Sequence, residues 1–298
     1  MNSDWDCIVV GGGAAGLSAA LVLGRARKRT LVLDTGRQSN LSAEGVGGLL
    51  GHNGVPPGEL YAAGRRELGE LPNVEVRDAE AVGAGRDGDA FAIELAGGAV
   101  ERGRRVLLAT GMDYRYAEVP GAAERWGQSV FHCPFCHGWE VRDRKLGVLD
   151  STAHRALLLR GWSDDVTLYT NGSSELDEDG AARLAEAGVE VDDRAIAGLR
   201  GPGEGLEAIA FEDGEDRACE ALLVAVTLHQ RTSLAQELGV RLAEDGKLVV
   251  DAIEVDSTFE TSVEGVFAAG DVSVKMPSVA TAIAAGSVAA AGIVHSLI

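Results

Sequence analysis

Asp6-Cys7-Ile8-Val9-Val10-Gly11-Gly12-Gly13-Ala14-Ala15-Gly16 decides how this chain is read. Asp6–Val10 is a short apolar run closed by a turn signal, which predicts a buried strand. Gly11, Gly13 and Gly16 follow it directly with GxGxxG spacing, and the Ala-rich stretch to about Arg25 predicts a helix. Thr30–Asp34 predicts the next strand, so the chain opens with a βαβ unit. In such a unit Gly11 permits the tight turn, Gly13 lets the backbone approach a pyrophosphate, and Gly16 allows close helix–strand packing. Phosphates then meet the N–H groups and the positive dipole of the helix start at Ala14 and Ala15. Asp34 ends the second strand, where an acid that binds ribose hydroxyls is expected. A glycine turn that only packed a helix on a sheet would leave Asp34 unexplained.

Outward from this unit, Pro56-Pro57-Gly58 marks a turn before an amphipathic helix, roughly 59–68. Short strands are predicted around 74–76, 79–82, 91–95 and 106–109. A second βαβ unit begins near Lys145, with strands at 146–149 and 166–169 around a helix at 153–160. Another buried strand is predicted at 222–226. The predicted fold class is α/β, with two Rossmann-like three-layer dinucleotide-binding domains. Residues 1–116 and 244–298 form the first, and the second, 117–243, is inserted into it.

The 298 residues include 46% apolar side chains, enough for a real core, and carry a net charge of -19. That acidity speaks against nucleic acid, whose phosphates call for clustered Lys and Arg. Met1 to Asp4 is polar and Cys7–Val10 is too short for a signal-peptide core, so a cytoplasmic protein is expected. Val279–Ile298 is nearly uncharged, but it is mostly Ala, Gly and Ser, which predicts a buried helix rather than a membrane span. Of the four cysteines, Cys7 and Cys219 stand alone in strand-like runs and read as small core residues. Cys133 and Cys136 form a CxxC, which without a secretory signal reads as catalytic or metal-binding. Zinc needs two more ligands, and His132 and His137 lie too close to the pair for an ordinary finger.

Two further motifs bear on the cofactor. Ala109-Thr110-Gly111 closes a buried strand, and Gly265-Val266-Phe267-Ala268-Ala269-Gly270-Asp271 lies near the C-terminus. Both resemble motifs of two-dinucleotide flavoproteins. Together with His132-Cys133-Pro134-Phe135-Cys136-His137-Gly138, their order resembles the low-molecular-weight thioredoxin reductases over nearly the whole chain. The resemblance implies FAD as cofactor, a homodimer, and a CxxC facing the flavin. It implies that Asp271, after Gly270, binds the ribityl chain, and that the helix starting near Ser278 aims Val279 and Ala280 at the flavin N1/C2 edge. Thr35, Arg37, Asn40, Val82, Thr110 and Gly111 complete the implied FAD set. Gly51-His52-Asn53-Gly54 resembles the loop that brings an Asn, and here also His52, near the isoalloxazine ring.

Three departures from that family point one way. The second βαβ unit has Asp150-Ser151-Thr152-Ala153-His154 where a glycine fingerprint for NADPH is expected. No arginine pair follows the next strand, which runs into Thr170-Asn171-Gly172-Ser173. Val226-Thr227-Leu228-His229-Gln230 replaces a closing glycine motif. The chain is most similar to the flavin-dependent dithiol oxidases that close disulfides in natural products such as gliotoxin and holomycin. Cys133, Cys136 and His137 are then the catalytic residues. A dithiol thiolate attacks Cys133, the second thiol resolves the mixed disulfide, and Cys136 passes electrons to FAD and on to O2, giving H2O2. His137 replaces the family's acidic residue, and an imidazole suits proton transfer at neutral pH. The alternatives are a reductase of thioredoxin or a similar protein, fed by NADPH or another donor, and a flavin-bearing redox sensor.

Overall fold

The computed structural model describes residues 5–298, so the polar start Met1–Asp4 lies outside the described residues. Among the described residues, the first compact unit comprises 5–41, 55–114 and 227–298, and the second comprises 42–54 and 115–226.

The first unit opens with β1 (Trp5–Val10), α1 (Ala14–Arg25) and β2 (Thr30–Asp34), followed by α2 (Pro57–Gly69) and β3 (Val74–Asp78). Ile8–Val10 of β1 and Thr30–Leu33 of β2 are runs of β-branched and Leu side chains, as suits parallel strands buried on both faces. A meander of β4 (Ala81–Asp87), β5 (Ala90–Leu95) and β6 (Val100–Leu108) follows. β6 is long enough to serve twice. Its first half pairs with β5, with Phe91 opposite Gly103, and its second half pairs with a late strand, with Val106 opposite Val266. β7 (Met112–Tyr116) then leads out of the unit.

In the second unit, β8 (Val130–Phe131) precedes α3 (Pro134–His137), which carries the CxxC. A parallel sheet is built from β8, β9 (Leu146–Leu149), β10 (Val166–Tyr169), β11 (Glu190–Asp192) and, after a three-stranded antiparallel sheet, β15 (Ala221–Val224). The strand order is β11-β10-β9-β15-β8. The helices are α4 (His154–Leu159) and α5 (Glu178–Glu186), the latter capped by Asp177, which accepts from Gly180 N at 2.7 Å. The antiparallel sheet, β12 (Ile196–Arg200), β13 (Ala208–Phe211) and β14 (Asp216–Ala218), lay outside the sequence reading. It is tied down by the buried Arg125, whose guanidinium donates to the carbonyls of Gly121, Gly201 and Gly205.

The chain returns through β16 (Val226–Gln230) to α6 (Leu234–Glu237), β17 (Val266–Ala268) and α7 (Val279–Ser296). The return falls at 226/227, earlier than the sequence boundary of 243/244. The reason is local: Glu237 of α6 accepts from Ala84 N of β4, and Leu228 bridges Val249. The loop 42–54 likewise groups with the second unit, whereas the sequence reading placed it in the first.

By length and composition α7 could cross a membrane. Ala282, Ala285, Gly286, Ala289, Ala290 and Ile293 instead form a buried face in the core of the first unit, together with α1. The two helices meet without space for a side chain at Gly286, where a Cβ would lie 2.1 Å from the Ala15 carbonyl oxygen. Cys7 and Cys219 are buried core residues, and burial pushes both thiols up, that of Cys219 to about 12.

Gly286→Val should therefore cost about 3 kcal/mol, the upper end for overpacking, because the clash is with backbone. Ala284→Ser, on the exposed face of the same helix, should be neutral within about 0.5 kcal/mol. Denaturant unfolding of both variants checks this; a Gly286→Val protein as stable as wild type would mean that the helices do not cross at this point.

Candidate active site

The dinucleotide turn is set by two contacts. Gly11 has φ +112°, and a Cβ on it would lie 2.1 Å from the Ala109 carbonyl oxygen at the end of β6. A Cβ on Gly16 would lie 1.8 Å from the Gly11 carbonyl oxygen. Gly13, the N-cap of α1, differs. Among the described residues the nearest atom to a Cβ there is Gln38 Cγ at 3.7 Å, so none of them forbids a side chain. No side chain caps α1, and no acid stands in its first turn. An open glycine beside an uncapped helix start fits a phosphate group brought in from outside.

Asp34 lies at the edge of a cavity of about 430 Å³, with Thr35, Gly36, Tyr61 and Arg65 also in its lining. Its carboxylate is buried and accepts from Gly36 N at 3.1 Å, from Gln38 Nε2 at 3.2 Å, and from Arg65. Burial alone would raise its pKa, but Arg65 and the N–H groups of Gly36 and Gly12 hold it below the usual range. Asn40 accepts from Tyr61 OH at 2.8 Å. Arg37 faces outward and pairs with Glu80 at 2.6 Å, and the Val82 side chain is exposed, so neither side chain is held toward Asp34.

Thr110-Gly111 follows β6, with Gly111 at φ +65°. Gly270, at φ +86°, sits between the Ala15 and Ala282 methyls, which brings Asp271 beside the start of α1 and the first turn of α7. Burial raises the Asp271 pKa, an effect that Tyr114 OH, donating at 2.9 Å, and Arg231 only partly offset. In α7 the Ser278–Thr281 capping box takes up the Thr281 N–H. Val279 and Ala280 remain as the helix-start residues whose N–H groups precede any intrahelical bond. These residues fit a dinucleotide with a polyol-bearing headgroup. His52 and Asn53 lie exposed in loop 42–54 of the other unit, where Asn53 Oδ1 accepts from Gly48 N at 2.9 Å.

In the second unit Cys133 and Cys136 form a disulfide, with Cys133 as the N-cap of α3 and the two Cα atoms 5.3 Å apart. Loop 42–54 packs on this turn, since a Cβ on Gly47 would lie 2.3 Å from the Cys136 carbonyl oxygen. His137 Nε2 is 3.0 Å from the Gly127 carbonyl oxygen. A carbonyl only accepts, so Nε2 carries the proton, and in the neutral ring Nδ1 holds the lone pair. Nδ1 is buried and has no hydrogen-bond partner. Burial lowers the His137 pKa, opposed by Gly127, Glu140 and Glu44. His132 stacks on Trp126, which stacks on Tyr116. Burial and the neighbouring His137 and Arg155 push His132 down to about 4, so at neutral pH His137 is the better placed of the two to take up a proton.

The loop after β9 is closed by its own side chains. Asp150 Oδ1 accepts from Thr152 N at 3.2 Å, and Oδ2 pairs with Arg155 at 2.6 Å. Sequence reasoning missed Arg65, Gln38, Tyr114, Gly47 and Gly127. Each acts through a tertiary contact, and none carries a local motif.

The His132 shift has a measurable consequence. Below about pH 6.5 the unfolded chain binds a proton that the folded chain refuses, so stability falls as pH drops from about 6.5 and levels off below about 4. His132→Phe, which keeps a ring against Trp126, should remove on the order of 2 kcal/mol of the stability difference between pH 7 and pH 4.5. Equal pH dependence in urea unfolding of the two proteins would contradict the assignment.

A family model described as pyridine nucleotide-disulphide oxidoreductase matches residues 5–153 and 163–286. The chain is 33% identical to thioredoxin reductase tcpT of Claviceps purpurea, over 95% of this chain and 91% of that one. An oxidoreductase from Agrobacterium tumefaciens is 36% identical, with a TM-score of 0.92 over 98% of each chain. The crystal structure of HlmI is 35% identical, with a TM-score of 0.93 over 100% of this chain and 93% of that one. The chain belongs to the pyridine nucleotide-disulphide oxidoreductase family, as a thioredoxin-reductase-like flavoprotein that exchanges electrons between thiols and disulfides.

Proposed function

We propose that this enzyme is an FAD-dependent dithiol oxidase that closes a disulfide in a small-molecule dithiol and passes the electrons to O2, giving H2O2. The observation that carries this reading is the loop after β9. A nicotinamide dinucleotide needs backbone N–H groups that its pyrophosphate can approach. At the corresponding turn the Asp150 carboxylate occupies Thr152 N and is neutralised by Arg155. A glycine-free loop in which a carboxylate already takes one of the turn's N–H groups supports electron entry through thiols instead. The choice of FAD rests on Asp271, whose buried carboxylate suits a polyol hydroxyl, and on the cavity beside Asp34, which suits an adenosine ribose.

The proposed reaction joins one dithiol and one O2 to give one cyclic disulfide and one H2O2. A substrate thiolate attacks Cys133 Sγ, breaking the Cys133–Cys136 bond and releasing the Cys136 thiolate. The second substrate thiolate attacks the mixed disulfide at the substrate sulfur, so the product leaves with its new S–S bond and Cys133 departs as thiolate. Both thiol protons must be removed: His137 Nδ1, with its single lone pair, is the base proposed to take one, and the other leaves to solvent. When bound, FAD would supply the two-electron acceptor that connects the reduced cysteine pair to O2.

Oxygen uptake driven by 1,4-butanedithiol should yield H2O2 in equal amount, and Cys133→Ser and Cys136→Ser should each abolish it while keeping the yellow flavin. Uptake that persists in either variant would remove the cysteine pair from the reaction. His137→Ala should slow dithiol-driven flavin reduction by on the order of 10²–10⁴ at neutral pH. The defect should narrow toward pH 9, because a free thiol of pKa about 8.5 then ionises unaided. A pH–rate profile parallel to wild type, with no loss at pH 7, would reduce His137 to a packing residue.

A further inference from the structure

Two large aromatic side chains at the disulfide turn have no part in the core. Phe135, between the two cysteines, is 66% exposed, and Trp139, two residues after His137, is 65% exposed. Both are braced. Phe135 meets the Trp162 indole edge-on at 5.6 Å, and Trp162 in turn packs on Gly138, where a Cβ would come within 2.7 Å of Nε1. The Arg142 guanidinium lies 3.9 Å from the Trp139 ring centroid and donates to the Trp139 carbonyl. Three of the chain's four tryptophans belong to this unit, in a protein with only 5% aromatic residues. Exposed rings held in fixed positions next to a reactive disulfide mark a recognition surface rather than leftover surface apolarity.

We infer that Phe135 and Trp139 select the carbon skeleton of the dithiol, favouring substrates in which a planar apolar ring adjoins the thiol pair. The inference rests on the dithiol-oxidase reading and specifies its substrate class. The size of the patch argues for a small molecule. Each ring offers at most about 150–250 Å², so the pair falls well short of the roughly 800 Å² that each partner contributes to a standard protein interface. The same area suffices to cover one face of a bicyclic ligand. Stacked or edge-to-face contact with such a ring adds binding beyond its buried area, and both side chains are about two-thirds exposed for such contact.

The test compares 1,2-benzenedimethanethiol with 1,4-butanedithiol, which place their thiols the same number of carbons apart and differ only in the aryl ring. The readout is the ratio of their kcat/KM values for flavin reduction, measured in wild type, Phe135→Ala, Trp139→Ala and Trp139→Phe. The intrinsic reactivity of each dithiol cancels when ratios are compared between proteins. Wild type should favour the aryl dithiol. Each alanine variant should lower the ratio about tenfold, chiefly through KM, and Trp139→Phe should restore most of it. Wild type that turns over both dithiols, with a ratio unchanged in both alanine variants, overturns the inference alone. Thioredoxin that reduces the flavin faster than either dithiol, and loses that rate in both variants, assigns the surface to a protein and also overturns it. Reduction of the wild-type flavin by neither dithiol defeats the oxidase reading and this inference with it.

Discussion

Around the first turn of α1, three backbone segments come together more closely than any Cβ allows. Gly11 rests on the Ala109 carbonyl, Gly16 on the Gly11 carbonyl, and Gly286 of α7 on the Ala15 carbonyl. This crowding explains why α1 and α7 are built largely of Ala and Gly, and why so apolar a helix as α7 is a core element of its unit. It also turns the uncapped start of α1 toward open space at Gly13 while pressing Gly270, and so Asp271, against Ala15. The candidate cofactor site of the first unit is a consequence of that packing rather than an addition to it.

The second unit uses a similar βαβ opening for different chemistry. At the turn after β1, glycines leave donors free for a phosphate; at the turn after β9, Asp150 uses the corresponding donor itself and binds Arg155. A carboxylate there takes up one backbone donor and sets a negative charge at the turn, which disfavours an incoming anion. What the unit offers instead is a disulfide held from behind by Gly47, beside a histidine whose tautomer is fixed by the Gly127 carbonyl. Burial lowers the pKa of that imidazole, and in its neutral form the remaining nitrogen holds the lone pair.

Much of this was legible in the residues. Thr30–Asp34, Leu146–Leu149 and Val166–Tyr169 are strands with the bounds that their apolar runs predict, and α1 ends at Arg25 as read. These are buried parallel strands and a helix bounded by turn signals, where local pattern and tertiary demand agree. The antiparallel β12–β14 sheet was not legible, because its short half-buried strands alternate weakly and its anchor, Arg125, acts through carbonyls of distant glycines. α5 was missed although Asp177 is a sound N-cap. The GxGxxG glycines and Asp34 stand out by motif spacing and Asp271 by the family resemblance, but Arg65 and Tyr114, which tie down those two carboxylates, carry no such signal. Sequence order places loop 42–54 in the first domain, and only the packing of Ser42 on Gly127 and Gln128 and of Gly47 on Cys136 shows that it groups with the thiol unit.

The central claim is that electrons enter through the cysteine pair and not through a nicotinamide nucleotide. Anaerobic stopped-flow spectroscopy of the flavin band, with 1,4-butanedithiol in one syringe experiment and NADPH in another, tests it most directly. The account predicts rapid bleaching by the dithiol and little or none by NADPH or NADH. Bleaching within milliseconds at micromolar NADPH, with the dithiol inert, would contradict it.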